Sequence, residues 1–98
     1  MPGSVYILSE AADKDLEDIF DYTIEHFGFE QAEKYLLEIE KIFNDLYLHP
    51  KSGKIRNEIK KGLYSFPKDN HIIFYRILEN HIYVVRVLHG SMDIPNYF

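Results

Sequence analysis

The sequence predicts an α+β fold of element order β-α-α-β-β-β, with a helical hairpin packed on a small, largely antiparallel four-stranded sheet. Three observations predict this fold class. Two runs rich in Ile, Val, Phe and Tyr flank Glu79-Asn80 within residues 71–89, as in a β-hairpin with a short turn. Apolar residues recur at helical spacing in two segments between residues 9 and 48. Short apolar runs at residues 5–8 and 62–66 supply the other two strands.

The first helix is expected to begin after Ser9 and to end at Gly28. Ser9 follows the strand Val5-Tyr6-Ile7-Leu8, and its hydroxyl can accept a hydrogen bond from an amide of the first helical turn. Gly28 can enter the left-handed conformation that ends a helix without steric cost. Between them, acids fill one face and a second face carries the helically spaced residues Ala12, Leu16, Ile19, Phe20, Thr23 and Phe27.

The second helix follows almost at once and is closed by Pro50. Its apolar stripe consists of Ala32, Tyr35, Leu36, Ile39, Ile42, Phe43 and Leu46. So short a connection forces the two helices to lie antiparallel, and their paired stripes can cover one face of a small sheet.

A polar connection, the basic segment of residues 49–61, leads from the helices to the sheet. Its charged residues are Lys51, Lys54, Arg56, Glu58, Lys60 and Lys61. These cations serve either intramolecular charge balance and solubility, or contact with phosphate or an acidic surface. Residues 62–66 then form a strand that ends at Pro67, and Pro67–Asn70 turns the chain into the main hairpin.

Both strands of the main hairpin are apolar at almost every position, so both sheet faces require a covering. If Leu78 pairs with His81 across a two-residue turn, one face carries Ile73, Tyr75, Ile77, Ile82, Val84, Arg86 and Leu88. The other face then carries Ile72, Phe74, Arg76, Tyr83, Val85, Val87 and His89. A three-residue turn would exchange the faces of one strand. The helices cover one face, and the other stays open to a partner unless the tail, Gly90–Phe98, folds over it.

The composition indicates one domain spanning residues 1–98 and excludes several chemistries. Because there is no cysteine, the chain has no disulfide, no thiolate nucleophile and no cysteine-based zinc site. The five histidines show no metal-ligand spacing, so we expect no metal and no cofactor. The N-terminus has no secretory pattern and no stretch approaches the roughly 18 apolar residues of a membrane span. We therefore expect a cytoplasmic protein that does not bind membranes.

The net charge of −5 conceals two halves of opposite sign. Residues 9–48 hold twelve acids and three lysines, for −9, whereas residues 49–98 hold four acids and eight Lys and Arg, for +4. A general nucleic-acid binder is strongly basic, so we expect no direct sequence-specific binding of nucleic acid.

Four polar residues of the hairpin and the tail require partners. Arg76 and Arg86 lie within apolar strands, where an unpaired charge is costly, so each either pairs with a helix carboxylate or belongs to a binding groove. His89 and Asp93 either form an acid–base pair or make local hydrogen bonds that anchor the tail.

Several short motifs, taken together and in order, resemble the ParE family, the toxins of bacterial type II toxin–antitoxin pairs within the RelE/ParE superfamily. The C-terminal motifs are Ile73-Phe74-Tyr75-Arg76 and Val85-Arg86-Val87-Leu88-His89-Gly90-Ser91-Met92-Asp93. The upstream motifs are Ser9-Glu10-Ala11-Ala12 with Asp15, Leu16 and Ile19, then Phe27-Gly28, Gln31-Ala32 with Tyr35, and Pro50 with Gly53. The resemblance covers nearly the whole chain.

The resemblance implies the same β-α-α-β-β-β fold and a toxin that inhibits DNA gyrase by binding it, without catalytic residues. It also implies a ParD-like antitoxin that wraps a C-terminal segment around the toxin, and it leaves open a homodimer or a heterotetramer with the antitoxin. The residues expected to contact antitoxin or gyrase are Tyr75, Arg76, Arg86, His89, Met92 and Asp93.

The alternative is a toxin similar to the RelE branch, whose members are ribosome-dependent endoribonucleases on the same fold. Those enzymes place arginines, lysines and a terminal tyrosine or histidine in the sheet groove to stabilise phosphate charge and transfer protons. Here the strand Leu63-Tyr64-Ser65-Phe66 carries neither a base nor a cation. The basic segment, Arg86 and His89 remain as support for that alternative.

Overall fold

The computed structural model describes residues 5–98. Its strands are β1 (Tyr6–Leu8), β2 (Lys54–Ile55), β3 (Tyr64–Lys68), β4 (His71–Ile77) and β5 (Ile82–His89). Its helices are α1 (Glu10–Phe27) and α2 (Phe29–Leu48), with 3₁₀ turns at Pro50–Ser52 and Ile94–Tyr97. The strands form one sheet in the order β1-β5-β4-β3-β2, antiparallel except for the parallel pair β1–β5. Neither helix of this part of the chain combines the length and the apolarity that a membrane span needs.

The predicted fold class is confirmed, and the sheet contains one strand more than the four expected. The additional strand, β2, lies in the basic segment, where Lys54 pairs with Ser65 and Ile55 with Tyr64. Both β2 residues are exposed. A short edge strand that carries lysine has no buried face and therefore no apolar alternation by which the sequence could reveal it.

The ends of α1 lie where the local signals place them. The Ser9 hydroxyl accepts a hydrogen bond from the amide of Ala12 at 2.9 Å. Gly28 has φ of +94° and is the single residue between α1 and α2. The two helices pack on one face of the sheet, where Leu16, Ile39 and Phe43 are among the buried core residues. We call this the helix-covered face.

The β4–β5 hairpin has the two-residue turn, since the Leu78 amide donates to the His81 carbonyl at 2.9 Å. A β-bulge follows: Tyr75 pairs with Val84, but Phe74 pairs with Arg86, so Val85 has no opposite residue. Beyond the bulge the faces of β5 exchange. Val87 therefore packs on the helix-covered side and Leu88 on the opposite side, the reverse of the predicted assignment.

The face away from the helices, the far face, is covered in part by the tail. Phe74, Leu88 and Leu63 form a second buried cluster there, and Ile94 and Phe98 pack against it. The rings of Phe74 and Phe98 lie 4.9 Å apart in an edge-to-face arrangement. The tail thus supplies the second covering that the apolar hairpin requires.

Beyond Val84, the outer edge of β5 bonds to the start of α1 and not to a neighbouring strand. β1 pairs with β5 only as far as Val84. The Ser9 amide then donates to the Val84 carbonyl at 3.0 Å, and the Ser9 hydroxyl donates to the Val85 carbonyl at 2.7 Å. Asp15 accepts from the Val87 amide at 3.0 Å. The N-terminal turns of α1 therefore satisfy the backbone groups that the bulge and the end of β1 leave open.

Candidate functional site

A cleft of about 500 Å³ opens between the helical hairpin, the β3–β4 turn and the end of β5. Six parts of the chain contribute to it, and most of its surface is apolar. Its lining residues are Asp18, Ile19, Tyr22, Thr23, Phe27, Gln31, Tyr35, Asp69, Asn70, His71, His89 and Met92. A cleft of this size, with apolar walls and a few converging polar groups, has the usual character of a binding site.

The aromatic wall of the cleft is exposed. Phe27 and Tyr22, both from the last turns of α1, are 69% and 59% exposed. The sequence placed Phe27 in the buried stripe of α1, but that stripe reaches the core only through its earlier residues, such as Ala12 and Leu16. Met92 from the tail borders the cleft and is 41% exposed. The cleft and its rim therefore present an apolar surface without a covering in residues 5–98.

The polar part of the cleft is organised around Tyr35 and His71. The Tyr35 hydroxyl donates to the carbonyl of Lys68 at 3.1 Å and lies 2.8 Å from Nδ1 of His71. Because a hydroxyl has one proton and the carbonyl can only accept, both bonds form when Nδ1 of His71 donates to the Tyr35 oxygen. In neutral His71 the lone pair is then on Nε2.

A second histidine lies directly opposite on the neighbouring strand. His71 and His89 are paired across β4 and β5, and their rings meet edge to face with centroids 5.4 Å apart. Burial lowers the pKa of His71 below its ordinary value of 6.5, and the neighbouring His89 lowers it further, while Asp69 opposes both effects. His71 is therefore neutral at physiological pH.

The acids at the rim of the cleft have cationic partners. Asp18 pairs with Lys14 at 2.7 Å. The Lys68 ammonium lies 3.1 Å from Asp69 and 2.8 Å from Glu38, and the hydrogen bond to Glu38 raises the pKa of Lys68. These pairs reduce the negative charge of the rim, so the apolar walls dominate what the cleft offers a partner.

Two of the six predicted contact residues, His89 and Met92, line this cleft. Asp93 is next in sequence, but it accepts from the Asn96 side chain at 2.6 Å in the final 3₁₀ turn. His89 makes no bond to Asp93. Its Nδ1 accepts from the Ser91 amide at 3.1 Å and lies 2.7 Å from the Ser91 hydroxyl. The local anchoring of the tail is thus confirmed, with Ser91 as the partner of His89.

Arg86 is bound to a helix carboxylate, one of the two alternatives that the sequence left open. Its Nε and Nη2 donate to the two oxygens of Asp15, each at 2.8 Å, and its guanidinium lies 5.3 Å from the centre of the Tyr97 ring. The hydrogen bonds to Asp15 raise the pKa of Arg86, so the side chain stays charged. This pair links α1, β5 and the tail.

Arg76 and Tyr75 lie away from the cleft. Arg76 is half-buried in β4, and its Nη1 donates to the backbone carbonyl of Lys61 at 3.0 Å rather than to a carboxylate. Tyr75 is completely buried in the core. Its hydroxyl donates to the Pro50 carbonyl at 2.6 Å and accepts from the Gly53 amide at 3.1 Å. Tyr75 therefore acts on the surface only by holding the Pro50–Gly53 turn in place.

Sequence reasoning did not identify Tyr22, Tyr35 or His71 as site residues. Tyr35 was assigned to the apolar stripe of α2, where it does lie, but its hydroxyl reaches past the core to the end of the sheet.

Within residues 5–98, no group of three or more His, Cys, Asp or Glu side chains is arranged to hold a metal ion.

Comparison with known proteins supports one family. Residues 6–94 match the family described as the ParE toxin of the type II toxin–antitoxin system parDE. The chain is 40% identical over 93 residues to "Toxin ParE1" of Mycobacterium tuberculosis, covering 94% of this chain and 95% of the relative. It is 33% identical over 88 residues to "Toxin ParE1" of Caulobacter vibrioides, covering 90% and 91%. A solved structure described as the "Chromosomal ParDE TA system from P. aeruginosa" has the same fold, with a TM-score of 0.73 at 20% identity over 86% of this chain and 92% of that one.

Proposed function

We propose a function from one premise: the chain belongs to the family of ParE toxins of type II toxin–antitoxin systems. It inhibits DNA gyrase by binding it in the cytoplasm, without a catalytic step of its own, and so blocks replication. A ParD-like antitoxin neutralises it by covering part of its surface. The family relationship and the resemblance of the C-terminal run Arg86–Asp93 support the gyrase target.

The observation that carries the antitoxin part of the proposal is the uncovered apolar cleft. Tyr22, Phe27 and Met92 expose apolar side chains around it, while the other apolar region of the sheet, the far face, already has the tail over it. A partner segment with an apolar side chain can fill the cleft and bury this surface, which stabilises a complex by roughly 25 cal/mol per Å² of apolar area. An antitoxin segment bound here also occupies the neighbourhood of His89.

The gyrase proposal is tested with purified protein, plasmid DNA, gyrase and ATP, scoring supercoiling and trapped double-strand breaks. Dose-dependent inhibition or linearised plasmid is the expected result. A large excess of folded, antitoxin-free protein that leaves gyrase unaffected would contradict the proposal. In that event the RelE-like alternative is tested by mapping messenger RNA cleavage in a translating extract, with His89→Ala as the variant expected to lose it.

The cleft proposal is tested with a pair of equally exposed positions. Tyr22 lines the cleft and Leu37 of α2 does not, yet both side chains are 59% exposed. Tyr22→Glu is expected to weaken antitoxin binding by about tenfold or more, because a charge replaces an apolar contact in the cleft. Leu37→Glu is the control and is expected to leave the dissociation constant nearly unchanged. Equal effects at the two positions would place the antitoxin elsewhere.

The RelE-like alternative receives little support from the geometry of its three candidate groups. The Arg86 guanidinium is occupied by Asp15. His89 lies in the cleft, and the basic segment with β2 lies at the opposite edge of the sheet, with β3 and β4 between. A phosphate held by the basic segment would therefore lie away from both Arg86 and His89.

A further inference from the structure

The basic segment, residues 49–61, carries cations that the rest of the described chain does not neutralise. Among residues 5–98, its only ion pair joins Arg56 to Glu58 at 2.7 Å, inside the segment itself. The helix carboxylates that form ion pairs take Lys14, Lys41, Lys68 and Arg86 instead. The other four cations of the segment are all lysines, and they are exposed with no carboxylate within ion-pair distance: Lys51, Lys54, Lys60 and Lys61. Intramolecular ion pairing therefore does not account for this cluster.

Backbone hydrogen bonds hold the loop of residues 56–63, which carries Lys60 and Lys61. The Arg56 amide donates to the Leu63 carbonyl at 2.7 Å, and the Leu63 amide donates to the Lys60 carbonyl at 3.1 Å. Gly62 has φ of +82°, and its amide donates to the Asn57 side chain at 2.9 Å. Leu63 is completely buried in the far-face cluster. These contacts restrain the loop without a partner, which reduces the entropy lost on binding.

A further cation from the sheet joins the segment. Arg76 of β4 donates from Nη1 to the Lys61 carbonyl at 3.0 Å, so its guanidinium lies beside the loop that carries Lys60 and Lys61. β2, with Lys54, forms the outer edge of the sheet. The cations thus follow one edge and one loop of the molecule.

The rest of the charge distribution restricts contact with a polyanion to this edge. Residues 9–48, which include both helices, carry a net charge of −9, whereas residues 49–98 carry +4. A polyanion is repelled by the helical hairpin and attracted by the basic segment, so the chain would approach it in one orientation. An overall charge of −5 therefore does not exclude a local contact with phosphate.

We propose that the basic segment, together with Arg76, binds the phosphate backbone of duplex DNA without reading its sequence. Lysines predominate, and an ammonium is a point charge that binds phosphate without the fixed geometry that a guanidinium imposes. A duplex carries one negative charge per roughly 1.7 Å of its axis, which a row of such charges can follow. The DNA contact is argued from the basic segment and Arg76 and does not depend on the proposed function. Its use on gyrase-bound DNA rests on the proposed function.

The test measures binding of the whole chain to a fluorescent duplex of about 20 base pairs by anisotropy, in the absence of gyrase, as the salt concentration is varied. Lys60→Glu/Lys61→Glu is compared with Lys14→Glu/Lys34→Glu, whose two substituted residues lie on the helices. Each double variant changes the net charge by the same amount. A difference in DNA binding between the two variants therefore reports where the charge lies and not how large the net charge is. Circular dichroism melting checks that both variants are folded.

The wild type is expected to bind at low salt with a dissociation constant on the order of 10⁻⁵ M and to bind a duplex of unrelated sequence equally well. Lys60→Glu/Lys61→Glu is expected to bind at least about tenfold more weakly, with a salt dependence shallower by about two units in the logarithmic slope. The helix variant is expected to stay within about threefold of the wild type.

Absence of wild-type binding, or equal losses in the two variants, would overturn the proposal. A variant at Lys60 and Lys61 that binds DNA normally but loses affinity for gyrase in the absence of DNA would assign the segment to an acidic protein surface and would overturn it as well. Because the DNA measurement contains no gyrase, its result is independent of whether the gyrase proposal holds.

Discussion

Replacing Asp15 with alanine removes three hydrogen bonds that join α1 to β5. The carboxylate accepts from Nε and Nη2 of Arg86 and from the Val87 amide. The Asp15 and Arg86 side chains are only 12% and 21% exposed, so water can replace these bonds only in part. Breaking a buried ion pair costs about 3–5 kcal/mol and an exposed pair contributes about 0–1 kcal/mol. For this mostly buried pair we expect Asp15→Ala to lower the free energy of unfolding by about 2–4 kcal/mol.

Asp18→Ala is the matched control, because Asp18 lies one turn further along the same helix. Its pair with Lys14 is exposed, with side-chain exposures of 61% and 67%. Such a pair, four residues apart on a helix, contributes about 0.3–0.5 kcal/mol. Urea denaturation followed by circular dichroism measures both variants. A double-mutant cycle of Asp15→Ala with Arg86→Leu isolates the pair and is expected to give a coupling energy of at least about 1.5 kcal/mol.

The result that would refute this reasoning is an Asp15→Ala variant no less stable than Asp18→Ala, or a coupling energy near zero. The experiment also decides how loss of toxicity in an Arg86 variant is interpreted. If Asp15 and Arg86 variants lose toxicity in parallel with stability, Arg86 positions β5 and the tail. If Arg86 variants lose toxicity while Asp15 variants with the same folded fraction keep it, Arg86 contacts the target.

Three further predictions concern other parts of the structure. Gly53→Ala is expected to cost about 3 kcal/mol or more, because the added Cβ would collide with a buried tyrosine hydroxyl and a strand carbonyl. In Gly90→Ala, the control, the nearest atom is 3.6 Å away, and a cost as large as that of Gly53→Ala in urea denaturation would contradict the steric account. Between pH 6.5 and the lowered pKa of His71, the unfolded chain binds a proton that the folded chain does not, so stability falls as pH decreases through this range. In His71→Gln the melting temperature should fall less steeply than in the wild type as the pH decreases through this range. Parallel plots of melting temperature against pH for the two proteins would contradict this role of His71. Phe98→Ala is expected to lower the free energy of unfolding by about 1–2 kcal/mol in urea denaturation, since its ring packs on the far face; an unchanged midpoint would show that the tail does not stabilise the fold.

The parts of the fold that depend on local signals could be predicted from the sequence. Ser9 and Gly28 bound α1 because capping and left-handed geometry are determined by the residue itself and its immediate neighbours. The position of the hairpin turn at Glu79-Asn80 follows similarly from where the apolar runs stop, whereas its length of two residues is decided only by the structure. These features require no knowledge of what packs against them.

The pairing of the two cleft histidines could not be predicted, because it depends on the bulge. With the observed two-residue turn and regular pairing, His71 would lie opposite Leu88. The extra residue, Val85, shifts the register by one and places His89 opposite His71. A bulge of this kind leaves no mark in a run that is apolar at almost every position, because most of its residues are compatible with either face.

The cleft was missed for a related reason. Its residues come from α1, α2, the β3–β4 turn, β4, β5 and the tail, and no pattern in the sequence indicates that these six parts converge. Tyr35 and Phe27 have the same helical spacing as the core residues, so periodicity alone cannot distinguish a side chain that fills the core from one that lines a surface. Of the predicted contact residues, only His89 and Met92 lie where the structure forms a cleft.

The closure of the β5 edge by Ser9 and Asp15 has a consequence for synthesis on the ribosome. Ser9 bonds to a residue 76 positions later in the chain, and Asp15 to one 71 positions later. At about 5–20 residues per second, β1 and α1 therefore wait roughly 4–15 seconds after their own synthesis for the strand that completes them. Until β5 has left the ribosome, neither the complete sheet nor the cleft can form. A nascent chain of this topology therefore has no finished cleft until β5 pairs with β1.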